Sequence, residues 1–418
     1  MSVARLAYSA VAYLAVPAVL ARLAWRSRAE RGYAAHVAER FGLYGGRVAS
    51  RPLVWVHAVS VGETHAAEPI VRALQARYPD HRVLLTHMTP TGRRAGERLY
   101  GDAVERAYLP YDLPDAVSRF LEHFRPAFGV IMETEIWPNL VHACRARGVP
   151  LFLANARLSE RSYLGYRRLA ALARESVERF TAIAAQTGAD AERLRALGAR
   201  NVTVTGSVKF DVAPPLEQLG LGRAWRESYG ERPVVLAAST REGEEALVLD
   251  AFAALPERPL LVVVPRHPQR FDEVAALIER RGLAYVRRSA GIAPSRDTRI
   301  VLGDSMGEMP AYYAAADVAY IGGSLLPFGG QNLIEACAVG TPVFVGPHTY
   351  NFTEAAGQAV ASGAAIRVAD ATALAHETMN VVKDEARLRE MRERALEFAR
   401  AHQGATDRVM QMIAATLP

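Results

Sequence analysis

Cysteine is scarce: Cys144 and Cys337 are the only two in 418 residues, and they sit in helical-looking segments far apart. They offer neither a disulfide framework nor a zinc spacing, which fits a reducing compartment. Other signatures are missing altogether. No G-x-x-x-x-G-K-[ST] occurs, which argues against a P-loop NTPase, and no G-x-G-x-x-G follows the first apolar run, which disfavours a dinucleotide enzyme. No Asp-x-Asp pair exists and the histidines are scattered without a ligand spacing, so a metal-bridged diphosphate donor has no support in the sequence. No low-complexity tract interrupts a chain that is half hydrophobic and rich in glycine, which excludes a disordered or fibrous protein. Aromatic residues are not interleaved with a Lys/Arg stripe, so a single-strand nucleic-acid binder is not expected.

Long uncharged runs are also rare, and the one exception lies at the N-terminus. Leu6 to Ala21, "LAYSAVAYLAVPAVLA", carries no charge between Arg5 and Arg22, and Leu23, Ala24 and Trp25 extend it. A full span needs about 20 residues, which snorkelling arginines bring within reach. Trp25, Arg26, Ser27 and Arg28 do not form a small-residue cleavage site, so a removed signal peptide is not expected. Arg22, Arg26, Arg28 and Arg31 all follow the run, and the positive-inside rule leaves the rest of the chain cytoplasmic. A span and a helix lying in the interface both remain open, and either attaches the chain to a membrane. The net charge of +6 and pI near 9.4 fit acidic partners such as a phospholipid surface or a phosphorylated substrate, or simply solubility.

After this anchor and a basic helical segment (1–47), apolar runs alternate with helical patterns. Val54–Ala58, Val83–His87, Ala103–Leu109, Phe128–Met132, Leu151–Ala154, Ala182–Ala185 and Val202–Thr205 read as strands, with helices such as Ala66–Tyr78 and Leu113–His123 between them. A second series follows at Val234–Ala238, Leu260–Val264, Ile300–Leu302, Val318–Ile321, Pro342–Val345 and Ala365–Val368. Continuous apolar runs separated by helices indicate parallel sheets covered on both faces. Pro214 and Pro215 mark the break. The expected organisation is therefore an α/β protein of two doubly wound domains, 48–207 and 216–418, joined by a linker at 208–215 and facing a cleft. The helical pattern from Lys383 to Leu417 could pack back across it.

Such folds bind ligands at the carboxyl ends of their strands. In the second series, "YIGGSLLPFGGQNLIEA" places two Gly-Gly pairs before a helix expected near Gln331-Asn332, with Glu335 one turn in, positioned for ribose hydroxyls. "PRHPQRF" brackets Arg266 and His267 with prolines, a pair suited to a phosphate or sugar carboxylate. "GDSMGEM" supplies backbone amides at Gly307, Glu308 and Met309, able to frame a nucleobase. The first series carries carboxylates instead. "VHAVSVGETHA" has Glu63 at a helix start, and "METEIWPNL" has Glu133 and Glu135. "LANARLS" adds Asn155 and Arg157, and "GSVKFD" adds Lys209. Glu63 is either a first-turn residue complementing a helix dipole or a general base, and the helix start is expected to lower its pKa and hold it ionised.

Together "HAVSVGET", "METEIWPNL", "ANARLS", "TGSVKFD", "PRHPQRF", "GDSMGEM" and "GGSLLPFGGQNLIEA" resemble the bacterial 3-deoxy-D-manno-oct-2-ulosonic acid (Kdo) transferases of lipopolysaccharide synthesis, over nearly the whole chain. The resemblance implies a GT-B glycosyltransferase, inverting, with no catalytic metal and no cofactor. It implies CMP-Kdo as donor substrate and a tetraacyldisaccharide bisphosphate lipid A precursor (lipid IVA) as acceptor. The site would lie on the cytoplasmic side of an anionic inner membrane. It assigns Glu63 as proton acceptor and Glu133 and Lys209 as transition-state support. Arg266, His267, Gly307, Glu308, Met309, Asn332, Leu333, Ile334 and Glu335 become CMP-binding positions. Arg93, Arg94, Arg157 and Arg161 are candidate contacts to acceptor phosphates. A UDP-sugar enzyme of the same fold, or a non-enzymatic membrane-tethered polyanion binder, are the rival readings.

Overall fold

The computed structural model describes residues 2–45 and 51–417, so the expected boundary at 47/48 lies outside the described residues. By its contacts the chain divides into two units, Met1–Val212 with Gln403–Pro418, and Ala213–His402. Sequence reading places the linker at 208–215; the division falls at Val212, and the last residues count with the first unit.

The first unit holds seven parallel strands: β1 Leu53–His57, β2 Arg82–His87, β3 Glu105–Tyr108, β4 Phe128–Met132, β5 Leu151–Ala156, β6 Ala182–Ala185 and β7 Val202–Val204, in the order β3-β2-β1-β4-β5-β6-β7. Successive side chains of a strand point to opposite faces. Trp55, Ile131 and Leu153 accordingly join Phe120 in one core, while Val54, Val56, Val130 and Phe152 join Ile70 in the other. Trp55 is fully buried and donates Nε1–H to Thr86 Oγ1 at 2.8 Å. Its ring fills the space beside Gly129 on the paired strand, where an added Cβ would lie 2.5 Å from Trp55 Cε3.

The terminal helix Ala405–Thr416 completes the second of these cores with Ala405, Val409 and Ile413. Asp211 fixes its start, accepting from the Gly404 and Thr406 amides at 2.7 and 2.6 Å.

The second unit holds β8 Val234–Thr240, β9 Leu260–Pro265, β10 Tyr285–Arg287, β11 Ile300–Leu302, β12 Val318–Ile321, β13 Val343–Val345 and β14 Ala365–Arg367, all parallel, in the order β10-β11-β9-β8-β12-β13-β14. β10 was not anticipated. It is a half-buried edge strand of three residues, too short to show a buried run. The helix expected over Ala66–Tyr78 is two, Val61–Ala66 and Glu68–Arg77. Ser60 caps the first, and Pro69, with no amide hydrogen to give, sits in the opening turn of the second.

Candidate functional site

In each sheet the strand order reverses once, between β1 and β4 and between β8 and β12. Those switch points are where open α/β sheets leave a crevice for ligands. The residues singled out from the sequence fall at both.

At the first, β1 ends and Ser60 caps the helix Val61–Ala66. Ser60 Oγ accepts from the Glu63 amide at 3.4 Å, and Glu63 Oε2 accepts from the Val59 amide at 2.8 Å. The Ser60 hydroxyl also donates to Glu63 Oε1 at 3.2 Å. This is a variant of the capping box whose return bond goes to the residue before the cap, so Glu63 does serve the helix start. The expected lowering of its pKa is not realised. Burial, and then the neighbouring charges of Glu133 and Glu135, push the carboxyl up to about 7 against the pull of the Val59 amide and the Ser60 hydroxyl. The helix start contributes two hydrogen bonds, but loss of water outweighs them.

Glu133 follows β4 directly. It adopts a left-handed backbone (φ 57°) while its amide donates to the Ala154 carbonyl at 2.9 Å. Its carboxylate pairs with Lys209 Nζ at 3.0 Å, both groups about a quarter exposed. Asn155 on β5 is also left-handed (φ 56°) and fully buried, and its Oδ1 accepts from the Val208 amide at 3.2 Å, which fixes the turn carrying Lys209. A left-handed non-glycine residue costs on the order of 1–3 kcal/mol, and strain of this kind gathers at working sites. Burial raises the Glu135 carboxyl, with Glu133 adding to the effect. Glu63, Glu133, Glu135 and Lys209 are thus brought together.

Sequence reasoning missed what supports them. His87 Nδ1–H donates to the Ala58 carbonyl at 2.9 Å, beneath the turn that carries Glu63. Burial lowers its pKa to about 4 and that of His57 to about 3, so both rings stay neutral. Arg93 and Arg94 are committed elsewhere, to Glu39 at 2.8 Å and to Glu30, and tie the N-terminal segment to helix Pro90–Tyr100. Arg157 and Arg161 are exposed.

At the second switch point a residue not foreseen stands out. Arg241 follows β8, with its guanidinium over the Phe328 ring at 4.5 Å and no acidic partner among the described residues. Arg266 follows the paired strand β9, and its amide donates to the Thr240 carbonyl at 3.0 Å. His267 has its pKa lowered, first by burial and then by Arg266, Arg241 and Arg270. Two arginines and a histidine disposed to stay neutral therefore gather at the adjoining ends of β8 and β9. The turn after β12 is tied to them by Glu244, which is fully buried. Its carboxylate accepts from the amides of Arg241, Gly323, Leu325 and Leu326 and from the Tyr320 hydroxyl, at 2.6–3.3 Å. Gly322 passes so close to β8 that a Cβ there would meet the Ser239 carbonyl oxygen at 2.4 Å. Glu244 escaped notice because four of its five partners are distant in sequence.

Gly307 (φ 83°) and Glu308 precede the helix Met309–Ala315, and Glu308 pairs with Arg288 at 2.9 Å. The helix expected at Gln331 starts at Ile334 and has six residues, Ile334–Val339. Asn332 Oδ1 accepts from the Ile334 amide and its Nδ2 donates to Glu335, both at 3.0 Å, so 331–333 form the turn before it. So short a helix supplies little dipole, and the positive charge at this switch point is that of Arg241 and Arg266. Leu333 and Ile334 turn their side chains into the core, leaving only backbone to a ligand, while Glu335 is exposed.

Residues 35–212 match the family described as "3-Deoxy-D-manno-octulosonic-acid transferase (kdotransferase)", and residues 246–401 match "Glycosyl transferases group 1". A 3-deoxy-D-manno-octulosonic acid transferase of Bordetella pertussis is 51% identical over 389 residues, 90% of each chain. Another from Haemophilus influenzae is 38% identical over 84% of each. A glycosyltransferase structure from Rickettsia africae aligns over 88% of this chain and 99% of its own, with a TM-score of 0.62 at 11% identity, a likeness of fold alone.

Proposed function

The chain belongs to the 3-deoxy-D-manno-octulosonic acid transferases, and from that premise we propose CMP-Kdo as its donor and a lipid A precursor, the tetraacyldisaccharide 1,4'-bisphosphate, as its acceptor. It is a GT-B glycosyltransferase that transfers Kdo. We place the reaction on the cytoplasmic side of an inner membrane, with the N-terminal helix as anchor.

The observation that carries the mechanism is the Glu63 carboxyl, half-buried and poised at about 7 beside the Glu133–Lys209 pair. A base works best when its pKa lies near the working pH. In the proposed step Glu63 takes the proton from an acceptor sugar hydroxyl as that oxygen bonds to C2 of Kdo. The bond between C2 and the CMP phosphate oxygen breaks in the same displacement, its electrons leave with CMP, and the anomeric centre inverts. Lys209, held by Glu133, offers positive charge to the reacting groups. In the second unit Arg241 and Arg266, with His267 beside them, would bind the CMP phosphate, and Gly307–Met309 and Asn332–Glu335 would supply the remaining CMP contacts. A single phosphate leaves, so side-chain cations suffice where a diphosphate is commonly met by a metal.

The test is incubation with CMP-Kdo and the lipid A precursor, with products read by mass. One or more added Kdo units are expected. Turnover with UDP-sugars and none with CMP-Kdo would overturn the donor assignment.

A further inference from the structure

The helix Val3–Ala29 is the one helix among the described residues long and apolar enough to cross a membrane. At 1.5 Å per residue its 27 residues extend about 40 Å. Its first half, however, is bonded to the first unit, and so is Glu30 just past its end. The Ser2 hydroxyl donates to Glu175. Ser9, buried, donates to Asn139 Oδ1 at 3.1 Å, Tyr8 bonds to the Asp112 carboxylate, and the Tyr13 hydroxyl donates to Asp115 at 2.5 Å. At the other end Glu30 pairs with Arg94, and Arg26 lies over the Tyr33 ring at 5.1 Å. Both ends are therefore held by the same body. A crossing helix puts its ends on opposite sides of about 30 Å of hydrocarbon. From Tyr13, the last of the bonded residues in the first half, to Arg26 is only about 20 Å.

The side turned away from the body is different in kind. Val3, Val11, Leu14 and Trp25 are exposed there, Leu6 and Leu20 are exposed on its flank, and no charge interrupts the run from Leu6 to Ala21. Arg22, Arg26 and Arg28 cluster at its end. Tyr166 lies near Tyr8, which brings the helix Glu160–Arg167 alongside, where Leu164 and Leu169 are exposed next to Arg167 and Arg168. Apolar residues bordered by arginines fit the boundary between acyl chains and anionic headgroups.

We propose that this helix does not span the membrane but lies in the plane of its cytoplasmic leaflet, docked on the first unit through Ser2, Tyr8, Ser9 and Tyr13, with the opposite face in anionic lipid. The inference rests on the membrane placement proposed above.

The full-length protein carrying a nitroxide at Val3→Cys, Leu14→Cys or Trp25→Cys is bound to vesicles of phosphatidylethanolamine and phosphatidylglycerol, and label depth is read by collision with oxygen and a nickel chelate. The native cysteines are buried and do not compete for label. Successive labels are 11 residues apart, about 16 Å along the axis. Equal, shallow depths at all three are expected. Leu14 near the bilayer centre with Val3 and Trp25 at opposite surfaces would overturn the in-plane orientation and leave the membrane placement standing. Absence of vesicle binding by the wild type, with self-association instead, would overturn the placement itself. Leu14→Asp should weaken vesicle binding at least tenfold while Kdo transfer to detergent-dispersed acceptor continues. Unchanged vesicle binding by that variant would count against the lipid-facing surface.

Discussion

Replacing Glu63 with Gln keeps the shape of the turn and removes one titratable group, and its consequences for rate and for stability run in opposite directions. If Glu63 is the base, only its ionised form works. With the carboxyl at about 7, the single-turnover rate should rise about tenfold per pH unit below that value and level off above it. Glu63→Gln should lose about 10²–10⁴-fold and show no such limb. The same raised pKa is a cost to the fold. Below about 4.5 the group is protonated in folded and unfolded chains alike, and it costs nothing. Between about 4.5 and about 7 the unfolded chain ionises while the folded one keeps its proton, and the cost grows to about 3 kcal/mol and stays there at higher pH. That figure already includes the pull of the Val59 amide and the Ser60 hydroxyl; water reaching the half-buried group lessens it, so Glu63→Gln should be more stable than wild type by about 1–2 kcal/mol at pH 8 and nearly equal to it at pH 4.5. For a unit of this size that is a rise in Tm of roughly 2–8 °C. Rapid-quench transfer at pH 5.5–8.5 and thermal melts at both pH extremes make the comparison. A flat rate profile, or a variant within tenfold of wild type, would remove Glu63 as base. A variant destabilised at pH 8 would show that the capping hydrogen bonds, rather than desolvation, govern the group.

Further expectations concern the supporting residues. Lys209→Met should lower kcat at least 100-fold, and adding Glu133→Gln should cost little more, because the two act as a pair; additive losses in the double-mutant cycle would separate their roles. Arg241→Ala removes a charge-assisted contact of about 1.5–3 kcal/mol and should raise the KM for CMP-Kdo by 10–100-fold; an unchanged KM would exclude Arg241 from the donor site. Glu244→Gln sets an amide against inward-pointing amides and should weaken CMP binding at least tenfold by calorimetry; unaltered binding would show that the loop after β12 keeps its form without it. Transfer should continue in excess EDTA, and activity lost there and restored by Mg²⁺ would refute a metal-independent step.

Much of the fold was legible because buried parallel strands are written as uninterrupted apolar runs. Phe128–Met132, Ala182–Ala185, Ile300–Leu302 and Val318–Ile321 could be bounded to the residue for that reason. The edge strand Tyr285–Arg287, with one face toward solvent and an arginine at its end, carries no such run. Residue types at the site were legible, since carboxylates and glycines stood at strand ends. Their electrostatics were not. The sign of the Glu63 shift depends on how much water the folded turn excludes and on Glu133 and Glu135, some seventy residues away. Glu244 reads from sequence as an ordinary first-turn acid, and only the fold shows how many amides converge on it. Asn332 likewise displaced the start of its helix through a local side-chain bond that propensity alone does not reveal.

The terminal helix has a consequence for how the chain is made. Val409 and Ile413 seal the same apolar interior as Val56 and Ile70, yet about 350 residues separate them in the order of translation. The ribosome therefore delivers the first sheet long before the piece that closes it, and the whole of Ala213–His402 emerges in between. Until then the nascent sheet presents an oily flank that chaperones must shield, and a message truncated near its end would yield a protein with an intact second unit and an unsealed first one.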